Sequence, residues 1–340
     1  MSDLDRWRER ALALQQAVAQ VVLGQRRAIR LTTLALFSGG HVLLEGNVGV
    51  GKTTLLRAFA RAIGGGFERI EGTVDLMPND LIYHAYIDAE GRPRIEPGPL
   101  LHHGQDLAVF FFNEINRARP QVQSLLLRAM AERTVRAFNR DSALPHVTVF
   151  ADRNRIEREE TFDLAAAARD RFMIEVSIDA PDDDALRWRL ASEPQFHDTD
   201  QLLEQVPPAL VDFRALRDCA AVIQRSVRAS DALRRYALAL WDTLNHPVRH
   251  GLALQDVDAP ADLGRLLLAG PSPRAVAMLI RMARTGAWLD GRDYLTPEDL
   301  REPWHEVMTH RLALDPVFEL RRGELVPRLL AKVLDCVATP

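Results

Sequence analysis

One glycine-rich segment constrains this chain more than any other feature of its sequence. Three glycines stand among residues 46–53, and the segment ends in Lys52-Thr53. Residues 41–45 before it, with Val42, Leu43 and Leu44 at their centre, are typical of a buried strand, and residues 53–63 after it have a helical pattern. Glycines let the backbone turn and point its N–H groups at phosphates, and the helix amino terminus adds a positive dipole. We therefore predict an ATP-binding loop. Its residues are Gly46, Asn47, Val48, Gly49, Val50, Gly51, Lys52 and Thr53, followed directly by Thr54.

The lysine in this loop stands out against the rest of the composition. Of the 43 basic residues only two are lysines, Lys52 and Lys332. An ammonium is a compact charge that fits between phosphate oxygens, whereas a guanidinium is planar and larger. We expect Lys52 to contact the β- and γ-phosphates and the Thr53 hydroxyl to be a ligand of Mg²⁺.

Strands and helices alternate through the first half of the chain. Apolar runs at 107–112, 147–151 and 172–176 predict buried strands of a parallel sheet, and residues 83–99 and 134–145 predict hairpin inserts. After residue 181 the strand patterns stop and helical periodicity continues to the end. The predicted fold class is α/β: a P-loop parallel sheet with flanking helices in residues 1–181, and an all-helical lid in residues 182–340.

Composition excludes several classes of protein. The formal net charge of −4 gives no basic surface for non-specific nucleic-acid binding. No apolar run approaches the roughly 18 residues that cross a bilayer, and the charged amino terminus does not resemble a signal peptide. Cys219 and Cys336 lack metal-ligand spacing, so we expect two buried thiols. We expect a cytoplasmic protein without nucleic acid or membrane insertion.

Four further residues are candidates for catalysis. The strand at 107–112 ends in Asn113-Glu114, where P-loop ATPases commonly place an Asp that holds Mg²⁺. Glu114 can polarise the attacking water, or it can be a salt-bridged loop residue. Asn154 follows the next strand and can orient water or form a turn. Arg171 can be an arginine finger or a surface ion pair, and Arg274 at a helix start can be a solvated residue.

The order and spacing of these segments resemble the MoxR family of AAA+ ATPases, in the clade that contains magnesium chelatase. The resemblance covers residues 15–315 approximately, and its most specific parts are Ser272-Pro273-Arg274 and Gly291-Arg292-Asp293-Tyr294. It also includes Val22-Leu23-Gly24-Gln25, Asp75-Leu76-Met77-Pro78, Pro97-Gly98-Pro99-Leu100, Asn113-Glu114-Ile115-Asn116-Arg117 and Asp170-Arg171-Phe172.

The resemblance implies a role for each matching position. Asn154 is then sensor 1, Arg171 the finger that acts on the neighbouring subunit, and Arg274 sensor 2 on the lid. Gly24 and Gln25 are expected near the adenine. A ring, most simply a hexamer, is implied by the split site.

Three segments depart from the family pattern. Asn113 stands where most relatives have Asp, and Ala151-Asp152-Arg153-Asn154 replaces a usual Thr-Gln-Asn-Pro stretch. Residues 164–169 lack a typical Pro-Glu-Ala-Gln-Leu pattern. Asn113 keeps a hydrogen bond to magnesium-bound water but no charge, so we expect a high Mg²⁺ requirement unless an acid such as Asp152 supplies that charge.

The resemblance implies a chaperone-like factor that uses Mg·ATP to remodel or activate a protein complex, often with a von Willebrand factor A domain partner. A slowly hydrolysing nucleotide-dependent scaffold or switch is the alternative that Asn113 favours. A DNA-remodelling ATPase is disfavoured by the acidic balance.

Overall fold

A computed structural model of the protein describes residues 3–154, 162, 164–254 and 264–340. The chain forms two compact units. The first comprises Met1–Phe172 and Val176–Cys219, and the second Met173–Glu175 and Ala220–Pro340. The first unit therefore extends beyond residue 181, where the loss of strand patterns places the boundary in the sequence. The reason is that the helices of residues 182–219 belong to the same compact unit as the sheet.

A five-stranded sheet forms the centre of the first unit. The nine strands described up to residue 177 are β1 Val42–Glu45, β2 Gly66–Glu71, β3 Tyr83–Ile87, β4 Pro93–Pro97, β5 Leu107–Asn113, β6 Thr134–Ala137, β7 Arg140–Ala143, β8 Thr148–Arg153 and β9 Ile174–Ser177. The strand order of the central sheet is β2-β5-β8-β1-β9, and the pairs β2–β5, β5–β8 and β1–β8 are parallel.

Strand β5 is buried along its whole length. Its side chains alternate between the two faces of the sheet, and both faces are covered, so the unbroken apolar run is explained. Phe110 and Phe112 pack in one core cluster with Val122 and Leu126. Each such buried phenylalanine contributes on the order of 1.5–3 kcal/mol relative to an exposed one. This packing holds the carboxyl end of β5, which carries Asn113, in a defined position.

Two antiparallel hairpins lie outside the central sheet. One pairs β3 with β4, and the other pairs β6 with β7. They fall within the two segments that the sequence predicts as inserts. Tyr83 and Phe138 contact each other with ring centroids 4.8 Å apart, so the hairpins meet.

The helices of the first unit flank the sheet, and the last of them, Leu216–Ser226, contains the boundary between the units. Short 3₁₀ turns lie at Pro78–Leu81, Gly104–Asp106, Ile115–Arg117 and Pro194–Phe196. The α-helices are α1 Asp3–Val21, α2 Arg26–Phe37, α3 Lys52–Ile63, α4 Pro120–Glu132, α5 Ala166–Arg169, α6 Asp184–Ser192, α7 Thr199–Glu204 and α8 Leu216–Ser226.

The second unit is helical, as the sequence predicts, with one addition. A short antiparallel pair, β10 Leu267–Ala269 and β11 Ala313–Leu314, lies among the helices. The strands are too short for periodicity to reveal them. The helices are α9 Asp231–Asn245, α10 Pro273–Leu289, α11 Pro297–Arg301, α12 Trp304–Met308 and α13 Arg322–Cys336, with 3₁₀ turns at Thr309–Arg311 and Pro316–Arg321.

The two cysteines differ in their surroundings. Cys219 is buried, and burial raises the pKa of its thiol to about 12. The expectation that Cys336 is also buried is wrong, because it is exposed at the last residue of α13. A helical pattern in the sequence does not show where the helix ends, and side chains at a helix end are often exposed. Among the described residues, no helix is long and apolar enough to span a membrane.

Candidate active site

The glycine-rich loop connects β1 to α3 at the carboxyl edge of the sheet. Gly49 and Gly51 have left-handed backbone angles, with φ of 81° and 91°. Helix α3 begins at Lys52, directly after Gly51. A Cβ atom added to either glycine would meet nothing within 4 Å, so the space beside these two residues is open. The backbone of a glycine-rich turn and a helix amino terminus beside open space fit the phosphates of a nucleotide.

Lys52 lies at the centre of a buried polar cluster. Its Nζ donates to the carbonyl oxygen of Gly46 at 2.7 Å and to Oδ1 of Asn154 at 2.6 Å. Oδ2 of Asp152 lies 3.4 Å from the same nitrogen. Lys52 and Asp152 have side chains that are 8% and 2% exposed, so their attraction is weakly screened by water. Two residues from the end of β8 thus orient the lysine of the loop.

Glu114 lies on the other side of Asn154. Its Oε1 accepts a hydrogen bond from Asn154 Nδ2 at 3.0 Å, and its Oε2 accepts one from Arg117 Nη1 at 3.1 Å. Its backbone N–H donates to Asp152 Oδ1 at 2.6 Å. The residue has a φ of 53°, a strained conformation for a side chain of this size. Asn154 therefore connects the lysine to the glutamate through its amide.

Asn113 is buried beside this cluster but faces another acid. Its side-chain amide donates to Oε1 of Glu71, and its backbone carbonyl accepts from the N–H of Gly72 at 2.7 Å. An added Cβ at Gly72 would lie 2.1 Å from the carbonyl oxygen of Glu114, so only glycine fits there. The tight packing of these two segments fixes the carboxyl ends of β2 and β5 against each other.

Asp152 is the buried acid of the site, and its exposed fraction is 1%. Burial raises the pKa of its carboxyl above the ordinary value, while the Glu114 N–H and the charge of Lys52 oppose that rise. From the sequence, Asp152 is only a possible source of the charge that Asn113 lacks.

Arg117 has no predicted role, although its position three residues after Glu114 is a usable signal for an ion pair.

A cavity of about 540 Å³ adjoins the loop. Gln25, which the resemblance places near the adenine, lines it, and its side chain donates to the carbonyl of Asp179 at 2.6 Å. Gly24 does not line the cavity; its φ is 75°, and an added Cβ would lie 2.8 Å from the Pro181 ring. The size and mixed lining of the cavity suit a purine base and ribose. The loop itself and the helix after it contribute part of the lining, with Val48, Gly49, Val50, Gly51 and Thr54.

The two arginine candidates belong to different units, Arg171 to the first and Arg274 to the second. Arg171 follows α5 and donates from Nη1 to its own chain at the Ala167 carbonyl, 2.7 Å away. Arg274 is an exposed residue in the first turn of α10, within the second unit. Both roles need a second subunit or a particular arrangement of the lid, so they stay predictions.

The oxygen groups around the loop fit Mg²⁺. Thr53 is in the first turn of α3, and the carboxylates and amide at the ends of β5 and β8 supply further oxygen atoms. Mg²⁺ prefers hydroxyl, carboxylate and water oxygens over nitrogen or sulfur ligands. The sequence predicts that Thr53 and Asn113 would hold it, and the buried carboxylate of Asp152 lies beside Lys52 at the same edge of the sheet.

Comparison with known proteins identifies the family. The chain is 54% identical to the protein MoxR of Methylorubrum extorquens over 334 residues, which is 98% of this chain and 96% of that protein. This chain belongs to the MoxR family of AAA+ ATPases. Residues 41–174 match the model of the ATPase family associated with various cellular activities, and residues 265–329 match the AAA lid domain.

Two more distant relatives agree with this assignment. The chaperone MoxR1 of Mycobacterium tuberculosis is 33% identical, over 95% of this chain and 80% of its own length. The crystal structure of a candidate ATPase from Cytophaga hutchinsonii superposes with a TM-score of 0.82 and 27% identity, covering 99% of this chain and 97% of that one. The relationship to MoxR proteins therefore extends over both units.

For a MoxR-type ATPase, the geometry assigns clear chemical capacities to the chain's own groups. Lys52 can neutralise phosphate oxygens, and bound Mg²⁺ would neutralise others. Glu114 can accept a hydrogen bond from water, and Asn154 holds its carboxylate in place. Phosphoryl transfer depends mainly on such positioning and charge.

Proposed function

We propose that this MoxR-type protein binds and hydrolyses Mg·ATP in a homo-oligomeric ring, most simply a hexamer, and acts as a chaperone-like remodelling or activation factor. The observation that carries the proposal is the continuous contact from Lys52 through Asn154 to Glu114. That chain of contacts joins the group that would bind phosphate to the group that would polarise water.

The reaction is the attack of water on the γ-phosphate, giving ADP and phosphate. Glu114 polarises the attacking water, and Asn154 keeps the glutamate directed toward it. Lys52 neutralises oxygens of the β- and γ-phosphates. Arg171 of an adjacent subunit and Arg274 of the lid add positive charge at the γ-phosphate, which is why the ring is needed.

A protein client is proposed because a relative of this chain is described as a chaperone. Partnership with a von Willebrand factor A domain protein is proposed from the resemblance alone. The acidic net charge of −4 supports a protein rather than a nucleic-acid client, and the proposed location is the cytoplasm.

Turnover and assembly test the proposal together. Purified protein should release phosphate from ATP only with Mg²⁺, and light scattering should give a ring mass that nucleotide stabilises. Affinity purification with Glu114→Gln, with Lys52→Ala as the matched control, should enrich a client or partner only with the first variant. A monomer without turnover, or retention of DNA at physiological salt, would refute it.

A slowly hydrolysing nucleotide-dependent switch is the second candidate. Both carboxylate oxygens of Glu114 already accept hydrogen bonds, from Asn154 and Arg117, so an attacking water has to share these oxygens with two other donors. Under this alternative, nucleotide binding alone changes assembly, and hydrolysis contributes little. Single-turnover kinetics separate the two: a switch remains in the ATP state long after its assembly is complete.

A further inference from the structure

We propose that Asp152, at the end of β8, supplies the magnesium-site carboxylate that Asn113 cannot supply at the end of β5. The inference rests on the proposed function, since it names the charged group of that same site. In this chain the negative charge has thus moved from one strand to its neighbour.

Strand register places the two residues side by side. Strands β5 and β8 are parallel, and Phe112 pairs with Ala151. The next residue of each strand is Asn113 on β5 and Asp152 on β8, so both belong to the same edge of the sheet. The two departures from the family pattern, an amide in place of an acid and an acid in the next segment, are therefore neighbours in space.

The strand order also favours Asp152. Strand β8 lies between β5 and β1, and β1 leads directly into the glycine-rich loop. A carboxylate on β8 is accordingly one strand closer to the loop than a carboxylate on β5. Its 3.4 Å separation from Lys52 Nζ places it directly beside the group that would contact phosphate.

Burying the charged carboxylate of Asp152 costs free energy, so this residue needs partners that compensate for the lost hydration. An aspartate that is 1% exposed loses most of its hydration, and such a group is retained where it has charged or hydrogen-bonding partners. Asp152 has two, the ammonium of Lys52 and the N–H of Glu114. Its oxygens are held in position by groups that themselves belong to the reaction site.

The competing acid is Glu71, which also contacts Asn113. Glu71 ends β2, the outermost strand on that side of the sheet, and its side chain is 49% exposed. Its Oε2 pairs with Arg69 at 3.0 Å. Glu71 lies two strands farther from the loop than Asp152 does. Water and the guanidinium of Arg69 already compensate the charge of Glu71. Glu71 is therefore the matched control.

The test is the affinity for a non-hydrolysable ATP analogue, measured by calorimetry with Mg²⁺ and with EDTA. Asp152→Asn should reduce the Mg²⁺-dependent gain in affinity by about 10- to 100-fold, the loss expected for one charge-assisted contact. In EDTA its affinity should be equal to or tighter than wild type, because one negative charge near the phosphates is gone. Glu71→Gln should behave as wild type in both conditions.

Returning the charge to β5 provides the decisive variant. The double variant Asn113→Asp, Asp152→Asn should recover most of the Mg²⁺-dependent gain, whereas Asn113→Asp alone should not increase it. Equal losses for Asp152→Asn in Mg²⁺ and in EDTA, without recovery in the double variant, would show a structural role and overturn the inference. An unchanged Mg²⁺ dependence in Asp152→Asn would also overturn the inference. If wild-type protein bound no nucleotide, the proposed function itself would fail instead.

Discussion

At the scale of single residues, the site depends on a few side chains that each contact two others. Asn154 is the clearest example, since its amide accepts from Lys52 and donates to Glu114. An amide has both a donor and an acceptor, so no carboxylate could make both contacts in this place. Loss of one such residue therefore disturbs both neighbours.

Lys52→Ala should weaken ATP binding greatly, because no other lysine is available near the loop and its ammonium is the main fixed charge for the phosphates. The expected loss in affinity is about 100-fold or more, measured by calorimetry with Mg·ATP. Lys332→Ala, in the second unit, is the matched control and should bind normally. An affinity of Lys52→Ala within a few-fold of wild type would contradict the assignment.

Glu114→Gln should keep ATP bound and stabilise the assembled ring while phosphate release stops. The amide can still accept from Asn154, but it cannot polarise water as a carboxylate does. We expect a decrease in the hydrolysis rate of about 100-fold or more. Phosphate release and light scattering measure the two effects, and turnover at the wild-type rate would show that Glu114 is not the base.

At the scale of elements, the family-like segment 291–299 has a structural explanation. Arg292 donates from Nη1 and Nη2 to the two oxygens of Asp299, each at 2.7 Å. Asp299 also accepts from the backbone N–H of Thr296 at 2.7 Å and so closes the capping box of α11. Hydrogen bonds to Asp299 raise the pKa of the Arg292 guanidinium. This motif therefore stabilises the start of α11 within the second unit.

Arg292→Ala should destabilise the second unit by about 2–3 kcal/mol, because Asp299 is 4% exposed and would lose its charged partner. Arg228→Ala removes the nearby exposed ion pair with Asp293 and should cost less than about 1 kcal/mol. Denaturant unfolding of both variants measures the difference. Equal losses in the free energy of unfolding for the two variants would mean that the bidentate pair stabilises the unit no more than an exposed ion pair does.

At the scale of the whole molecule, the proposed chemistry requires more than one chain. Arg171 lies after α5, apart from the Lys52 cluster, and its visible partner is a carbonyl of its own chain. The proposed finger role therefore assigns Arg171 to the site of a neighbouring subunit.

Arg171→Ala should retain nucleotide affinity but lose hydrolysis, by about 1,000-fold if it is an arginine finger. Mixing Arg171→Ala subunits with Lys52→Ala subunits should restore part of the activity, because an Arg171→Ala site can use the arginine of a Lys52→Ala neighbour. Arg217→Ala, an exposed arginine of α8, should behave as wild type. Verified mixed rings without any recovery would exclude a shared site.

The sequence by itself determined the nucleotide loop, the parallel sheet around it and the family. These depend on local spacing: glycines between a strand and a helix, apolar runs of strand length, and short motifs. Lys52, Thr53, Glu114 and Asn154 could be named because each belongs to such a pattern.

Only the tertiary structure decided which of these groups touch one another. Asp152 lies 38 residues from Glu114 and contacts its N–H, and Asn154 lies 102 residues from Lys52. Parallel strand pairing brings such distant segments to one edge of the sheet, and a linear pattern does not contain that register. For the same reason the sequence placed the boundary near 181, whereas packing carries the first unit to Cys219. Spatial proximity, not spacing along the chain, made Asp152 the acid beside the lysine.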